Sequence, residues 1–328
     1  MATVFPPSRM VMLGFEEAEA TKPIIRLIKE KKIAGVILFK RNCETFSGVE
    51  KLCKTLHSTA DYPLLIGIDE EGGRVTRLPH PFKSLPSMRE IAKSYTPEET
   101  AEIAYEQGEA LIKLGINLNF APVMDVDTNP QNPIIGDRSF SSDPGVVSTY
   151  GCAYIAGLQS AGVAACAKHF PGHGDTDLDS HTALPIVRHS VERLNSAELP
   201  PFSAAIESNV ASIMTAHIIC EALDSEFPAT MSEKIVRNVL REQLGFEGVV
   251  FTDDLLMSAV KDNYDWLDVV SRSVSAGCDI LLICKQDTGR LAFAFNELEL
   301  MFETESRPLI ESAINRIDTL ARSFPVNS

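Results

Sequence analysis

The chain has 328 residues, 45% of them hydrophobic, which is far more apolar material than a minimal core needs and excludes fibrous and disordered classes. Thirty Lys and Arg against 45 Asp and Glu leave a net charge of -15. That balance repels nucleic-acid phosphates and anionic lipid unless a basic patch intervenes, and the sequence contains no such patch, so neither a nucleic-acid nor a membrane partner is expected.

The first residues, MATVFPPSRMVMLGFEEAEA, lack a basic leader followed by an apolar run, and no apolar stretch approaches the ~18 residues of a membrane span. The seven cysteines are odd in number and scattered without a C-x-x-C pair, which points to buried thiols in a reducing compartment. A cytoplasmic protein is expected. In chain order, apolar runs at 10–13, 35–39, 64–68, 117–120, 163–167, 212–215, 248–251 and 279–283 read as strands, with amphipathic stretches between most of them. This is the alternation of β-α units around a parallel sheet.

Several of the helices carry their own boundaries. Thr96-Pro97-Glu98-Glu99 combines an N-cap, a proline in the first turn and a capping-box glutamate, and Gly115 follows as a stop. Ser232 opens another helix, with Ile235, Val236, Val239 and Leu240 on one face and an end at Gly245. A terminal helix at about 307–323 is expected to pack outside the sheet. The longest insertions, 70–95 and 172–189, follow the third and fifth strands. An open doubly wound sheet in two domains fits eight such units, but even spacing without a composition break favours one closed (β/α)8 TIM barrel over residues 1–328.

In a barrel, chemistry collects where strands end. Asp69, Asp125 with Asp127, Lys168 with His169, His217, and Asp253 with Asp254 follow five of the runs. A single strand-terminal aspartate often only caps the next helix, but five such endings on one face exceed what capping explains. The segment KHFPGHGDTDLDSH, residues 168–181, holds three of the seven histidines, three aspartates and a lysine. A zinc site from His169, His173, Asp175, Asp179 and His181 is conceivable, yet Pro171 and Gly172 prevent His169 and His173 from sharing a helix face, so no metal is expected. Lys168 as a Schiff-base lysine is a further option, though its histidine and carboxylate neighbours suit a charged donor to a substrate hydroxyl better. Glycosyl transfer to water fits the same residues, with Asp253 as carboxylate nucleophile, His181 as proton donor and Asp179 orienting its ring.

The motif KHFPGHGDTDLDSH is the strongest of a series that resembles glycoside hydrolase family 3, in particular its single-domain β-N-acetylglucosaminidases of bacterial cell-wall recycling. GVILFKRN at 35–42, GIDEEGGRVTRL at 67–78, GDRSF at 136–140, MTAHI at 214–218 and FTDDLLM at 251–257 agree in order, so the resemblance covers essentially the whole chain. It implies Asp253 as nucleophile and Asp179 with His181 as the acid and base dyad. Asp69, Arg138, Lys168 and His169 would hold the sugar hydroxyls, and Asp254 would be structural. Arg74 and His217 are added as substrate-binding candidates from their place beside these groups. Glu70 stands where glutamine is common in the family.

The resemblance implies a retaining exo-enzyme without cofactor that removes N-acetylglucosamine from peptidoglycan fragments. Phosphorolysis, relaxed β-glucosidase activity and a silent sugar-binding barrel are the alternatives, the first because a neutral imidazole base does not repel an anion. Gly172, Gly174 and Pro171 suit a loop that moves His181 during turnover. Gly72 and Gly73 suit a tight turn that exposes Asp69 and Arg74. Met10, Met12 and Phe39 read as core or pocket floor and Trp266 as helix packing, while His57, His80 and His189 receive no role.

Overall fold

A parallel strand covered on both faces reads as an unbroken apolar run, and the strands here are buried along their whole length. The computed structural model of the chain describes residues 5–176, 180 and 184–326. Its barrel strands are β1 (Val11–Leu13), β2 (Gly35–Leu38), β3 (Leu65–Ile68), β4 (Leu118–Asn119), β5 (Ala164–Phe170), β6 (Ser212–Thr215), β7 (Val249–Phe251) and β8 (Leu281–Ile283), and a separate short parallel pair joins Ile186–Val187 to Ile219–Cys220. Each barrel strand pairs in parallel with its neighbour in sequence, and β8 pairs with β1 through Val11–Leu281, Met12–Leu282 and Leu13–Ile283. A parallel bridge between Phe251 and Ile280 joins β7 to β8, so the eight-stranded sheet closes into the barrel expected from the sequence.

All eight expected runs contain a strand, with ends that differ by a few residues. The run at 163–167 extends to Phe170, because the register against β6 shifts between Lys168 and Phe170 and pairing resumes beyond it. Inside the barrel, Phe120 and Phe251 meet edge to face at 5.2 Å. A Cβ at Gly67 would sit 2.9 Å from both Met12 Cε and Phe120 Cε2, so the missing side chain makes the space those two fill.

The helix Pro97–Lys113 begins on Thr96, whose hydroxyl accepts from Glu99 N at 3.2 Å while Glu99 Oε2 accepts from Thr96 N at 2.7 Å. The helix Lys234–Gln243 buries Ile235, Val236, Val239 and Leu240 as expected, but its hydrogen bonds follow the wider π pattern. The terminal helix Arg307–Ser323 buries Ile310, Ala313, Ile314, Ile317, Leu320 and Ala321 against the outer layer. Trp266 Nε1 donates to Arg290 O at 2.8 Å, which ties one outer helix to the next.

At the amino ends of the strands the polar residues serve stability. Asp279, fully buried, accepts from Arg241 Nη2 at 2.6 Å, Arg316 Nη2 at 2.8 Å and Val250 N at 2.8 Å, fastening β7, β8 and the terminal helix together. No helix among the described residues is long and apolar enough to cross a membrane.

Candidate active site

The carboxyl ends of the strands open into a cavity of about 420 Å³. Its wall takes Phe39 and Arg41 from beyond β2, Asp69, Glu71, Arg74 and Arg77 from beyond β3, and Arg138 from the loop after β4. Lys168 and His169 of β5, Asp253 and Asp254 beyond β7, and Cys284 and Lys285 beyond β8 also line it, together with His173 and Ser180 from the segment after β5. Successive side chains of a regular strand point to opposite faces, whereas the register shift in β5 lets Lys168 and His169 both reach the cavity.

The segment after β3 is held first by its backbone. Asn119 of β4 accepts from Glu70 N at 3.0 Å through Oδ1 and donates to Glu70 O at 2.9 Å through Nδ2, and Gln107 Nε2 donates to the same carbonyl at 3.1 Å. With Glu70 fixed, its neighbours are placed. Asp69 Oδ1 lies 2.7 Å from Lys168 Nζ, and Glu71 Oε1 lies 2.7 Å from both Lys168 Nζ and Arg138 Nη2. Glu71 Oε2 accepts from Arg138 Nε at 2.8 Å, making the arginine contact bidentate.

Burial alone would raise the Glu71 carboxyl, but the Arg138 guanidinium and the Lys168 ammonium outweigh it and hold the group well below the usual carboxylate range. Burial likewise opposes charge on Lys168, and Asp69 with Glu71 reverse this, so its ammonium is held more firmly than usual. Lys168 is thus a fixed cation, which suits a donor to a sugar hydroxyl and opposes the neutral amine that a Schiff base requires.

Glu70 points the other way. Its Oε2 accepts from Arg77 N at 2.7 Å and Leu78 N at 3.1 Å, and its Oε1 accepts from Ser84 Oγ at 2.9 Å. It shapes the turn in which Gly72 and Gly73 take φ of 97° and 55°. Burial pushes its carboxyl up.

Asp125, fully buried, is a second hub. Its Oδ2 lies 2.7 Å from His169 Nδ1, and its Oδ1 accepts from His173 N at 2.7 Å and His169 N at 3.2 Å. Facing a carboxylate, His169 Nδ1 carries a proton, which leaves Nε2 as the other polar atom of the ring. The His173 ring lies 2.7 Å from Thr176 Oγ1 and 3.1 Å from Ser180 Oγ. Burial, then the neighbouring His169, lower its pKa to about 4, so it is neutral near pH 7. Gly174 is needed for close approach, since a Cβ there would lie 1.9 Å from Val126 O.

Beyond β7, Asp253 Oδ1 accepts from Asp254 N at 2.7 Å. Asp254 Oδ1 accepts from Leu256 N at 3.1 Å and Cys284 N at 3.0 Å, so this carboxylate ties β7 to β8. Burial raises the Asp254 carboxyl, offset in part by those two N–H groups. His217 Nε2 donates to Asp254 O at 2.9 Å and Nδ1 lies 2.9 Å from Thr230 Oγ1, a placement that supports the turn carrying Asp253.

The structure therefore brings Asp69, Arg74, Arg138, Lys168, His169 and Asp253 to one cavity. His217 is not among the described residues lining it. Asp179 and His181 lie outside the described residues, as do their neighbours 177, 178, 182 and 183. Arg74 sits at the rim, where its guanidinium contacts the Ile134 carbonyl and lies 3.0 Å from Asp137 Oδ1. Arg77 is a residue that sequence reasoning missed. It lines the cavity with Nη2 3.7 Å from Asp69 Oδ2, and its buried Nε has no hydrogen-bond partner among the described residues.

Glu71, as the anion between two cations, was missed as well. So was His189, whose ring contacts the Asp175 carboxylate. Of the residues weighed as zinc ligands, His169, His173 and Asp175 are engaged in these contacts, and no group of three or more His, Cys, Asp or Glu among the described residues is arranged to hold a metal ion.

Residues 8–320 match the glycosyl hydrolase family 3 N-terminal domain. A β-hexosaminidase of Thiobacillus denitrificans is 39% identical over 280 residues, covering 84% of this chain and 77% of that protein. A β-hexosaminidase of Haemophilus influenzae is 34% identical over 322 residues, covering 97% and 90%. A solved family 3 β-N-acetylglucosaminidase from Paenibacillus superposes with a TM-score of 0.94 at 38% identity, and the match takes in 98% of this chain but 62% of that longer one. The chain belongs to glycosyl hydrolase family 3 and is a glycoside hydrolase.

Proposed function

We propose that the chain is a retaining, exo-acting β-N-acetylglucosaminidase that releases the nonreducing-end sugar from peptidoglycan fragments. The observation that carries the reading is the strand-end cavity, where Asp253 shares a wall with Asp69, Lys168, His169 and Arg138. A carboxylate is thereby set among fixed polar donors and an acceptor of the kind that grip sugar hydroxyls. The names of the relatives support the choice of sugar.

In this mechanism Asp253 attacks the anomeric carbon while His181, its ring oriented by Asp179, protonates the departing glycosidic oxygen. His181 then takes a proton from water. The water oxygen attacks the same carbon, the ester bond to Asp253 breaks, and the sugar leaves with its β configuration kept. Asp69, Lys168, His169 and Arg138 hold the hydroxyls, with Arg77 beside them, and no cofactor takes part. The cytoplasm is the proposed place of action, supported by seven cysteines that are all unpaired and, apart from Cys152, buried.

The test is cleavage of aryl β-N-acetylglucosaminide and aryl β-glucoside, with and without phosphate, by wild type, Asp253→Asn and His181→Ala, with the anomer of the first-formed product read by NMR. Preference for the acetamido sugar, indifference to phosphate, a β product and loss of turnover in both variants are expected. Full activity of Asp253→Asn overturns the nucleophile assignment, a sugar 1-phosphate product selects phosphorolysis, and no cleavage of either substrate selects a sugar-binding barrel. A disaccharide ending in a muramic sugar, compared with chitobiose, tests the fragment assignment.

A further inference from the structure

Ser180 stands in the chain between the two residues assigned to proton transfer, and it is fastened to the barrel at two points. Its hydroxyl lies 3.1 Å from His173 Nε2, and its carbonyl accepts from Ala259 N at 3.2 Å. It is 3% exposed. His173 is itself fixed, with its backbone N–H on Asp125 Oδ1 at 2.7 Å and its Nδ1 2.7 Å from Thr176 Oγ1. The other Asp125 oxygen holds the His169 ring. A continuous line of hydrogen bonds thus runs from the sugar-holding end of β5 to Ser180.

We propose that Ser180 is a positioning residue for the proton-transfer steps, its hydroxyl on His173 holding the stretch of backbone to which Asp179 and His181 are directly joined. The proposal rests on the reading of His181 as acid and base. Consecutive Cα atoms are ~3.8 Å apart, so both members of the dyad lie one residue from the anchored point. A displacement of about 1 Å is enough to slow a positioned proton transfer strongly.

The experiment uses Ser180→Ala, with His181→Ala as reference, on an aryl β-N-acetylglucosaminide whose phenol leaves without acid assistance. Turnover then depends on water attacking the glycosyl-enzyme, the step that needs the base. Azide bypasses it: the azide nitrogen bonds to the anomeric carbon, the ester bond to Asp253 breaks, and glycosyl azide forms with no proton to remove. Ser180→Ala is expected to lower kcat about fivefold, the worth of one neutral hydrogen bond. KM should fall in proportion because the intermediate accumulates, and azide should restore kcat with glycosyl azide as product.

Unchanged kcat and KM would overturn the proposal. So would a raised KM at constant kcat, which marks a direct sugar contact, and a lowered kcat that azide does not restore, which marks a merely structural role. His181→Ala separates the two layers. If it is neither slowed nor restored by azide, the acid and base reading itself fails; if it behaves as expected and Ser180→Ala does not, only the positioning role falls.

Discussion

The two adjacent glutamates beyond β3 offer a controlled comparison, because Glu70→Gln and Glu71→Gln both remove one buried negative charge from neighbouring positions. The Glu71 side chain is 2% exposed, and its oxygens meet Arg138 Nη2, Arg138 Nε and Lys168 Nζ at 2.7, 2.8 and 2.7 Å. In Glu71→Gln, Lys168 retains Asp69, but Arg138, 12% exposed, loses its bidentate anion and an amide N–H group faces one of its donors. Breaking a buried pair in this way costs about 3–5 kcal/mol. Glu70 meets only two backbone N–H groups and a hydroxyl, which the glutamine oxygen and a reoriented serine can still satisfy, so Glu70→Gln should cost under about 1 kcal/mol.

Urea unfolding at pH 7 should therefore show a large midpoint shift for Glu71→Gln and a small one for Glu70→Gln, with unchanged slopes. The folded pKa of Glu71 is depressed, so its contribution is present above the unfolded value of about 4.3 and lost only as pH falls through the lower folded value. The gap between wild type and Glu71→Gln should accordingly persist from pH 7 down to about pH 4. Equal shifts for the two variants, or a larger one for Glu70→Gln, would refute the assignment of Glu71 as the buried anion that pairs with Arg138 and is shared with Lys168.

His173 carries a folded pKa of about 4 against an unfolded value near 6.5, so it stabilises the fold above pH ~6.5 and that contribution, about 3 kcal/mol, is lost as pH falls toward 4. Unfolding midpoints at pH 7.5 and 4.5 should differ less in His173→Gln than in wild type. Asp279→Asn, at the opposite end of the barrel, weakens ion pairs to Arg241 and Arg316 and should destabilise by about 3 kcal/mol while leaving KM unchanged, which equilibrium unfolding and steady-state kinetics together check. Burial, then Asp254 and Asp253, push the Cys284 thiol well above its ordinary value, so the native enzyme should resist iodoacetamide at pH 8 although Cys284 borders the cavity, with labelling read by mass spectrometry.

What could be read from the sequence divides by the range of the interactions involved. The capping box at Thr96 and the apolar face of residues 307–323 involve neighbours a few positions apart, and both stand in the structure where the sequence put them. The strand runs were legible because strands buried on both faces are continuously apolar. Strand ends were legible as a group of polar residues but not as pairs. Lys168 and Asp69 are 99 positions apart and Arg138 and Glu71 67 apart, distances over which no local pattern reports.

The choice between arginines shows the limit most clearly. Arg74 adjoins the glycine turn and Arg77 stands three residues on, and nothing in the composition of the segment separates them. Closure of the barrel decides, because it brings the loop carrying Asp137 and the Ile134 carbonyl against Arg74 while Arg77 reaches toward Asp69. The same holds for Glu70 and Glu71, alike in sequence and opposite in role. One faces the backbone of its own turn, and the other faces two cations delivered by β5 and by the loop after β4. A barrel site is thus announced by local patterns of burial, but its electrostatics come into being only when distant strand ends are drawn into one ring.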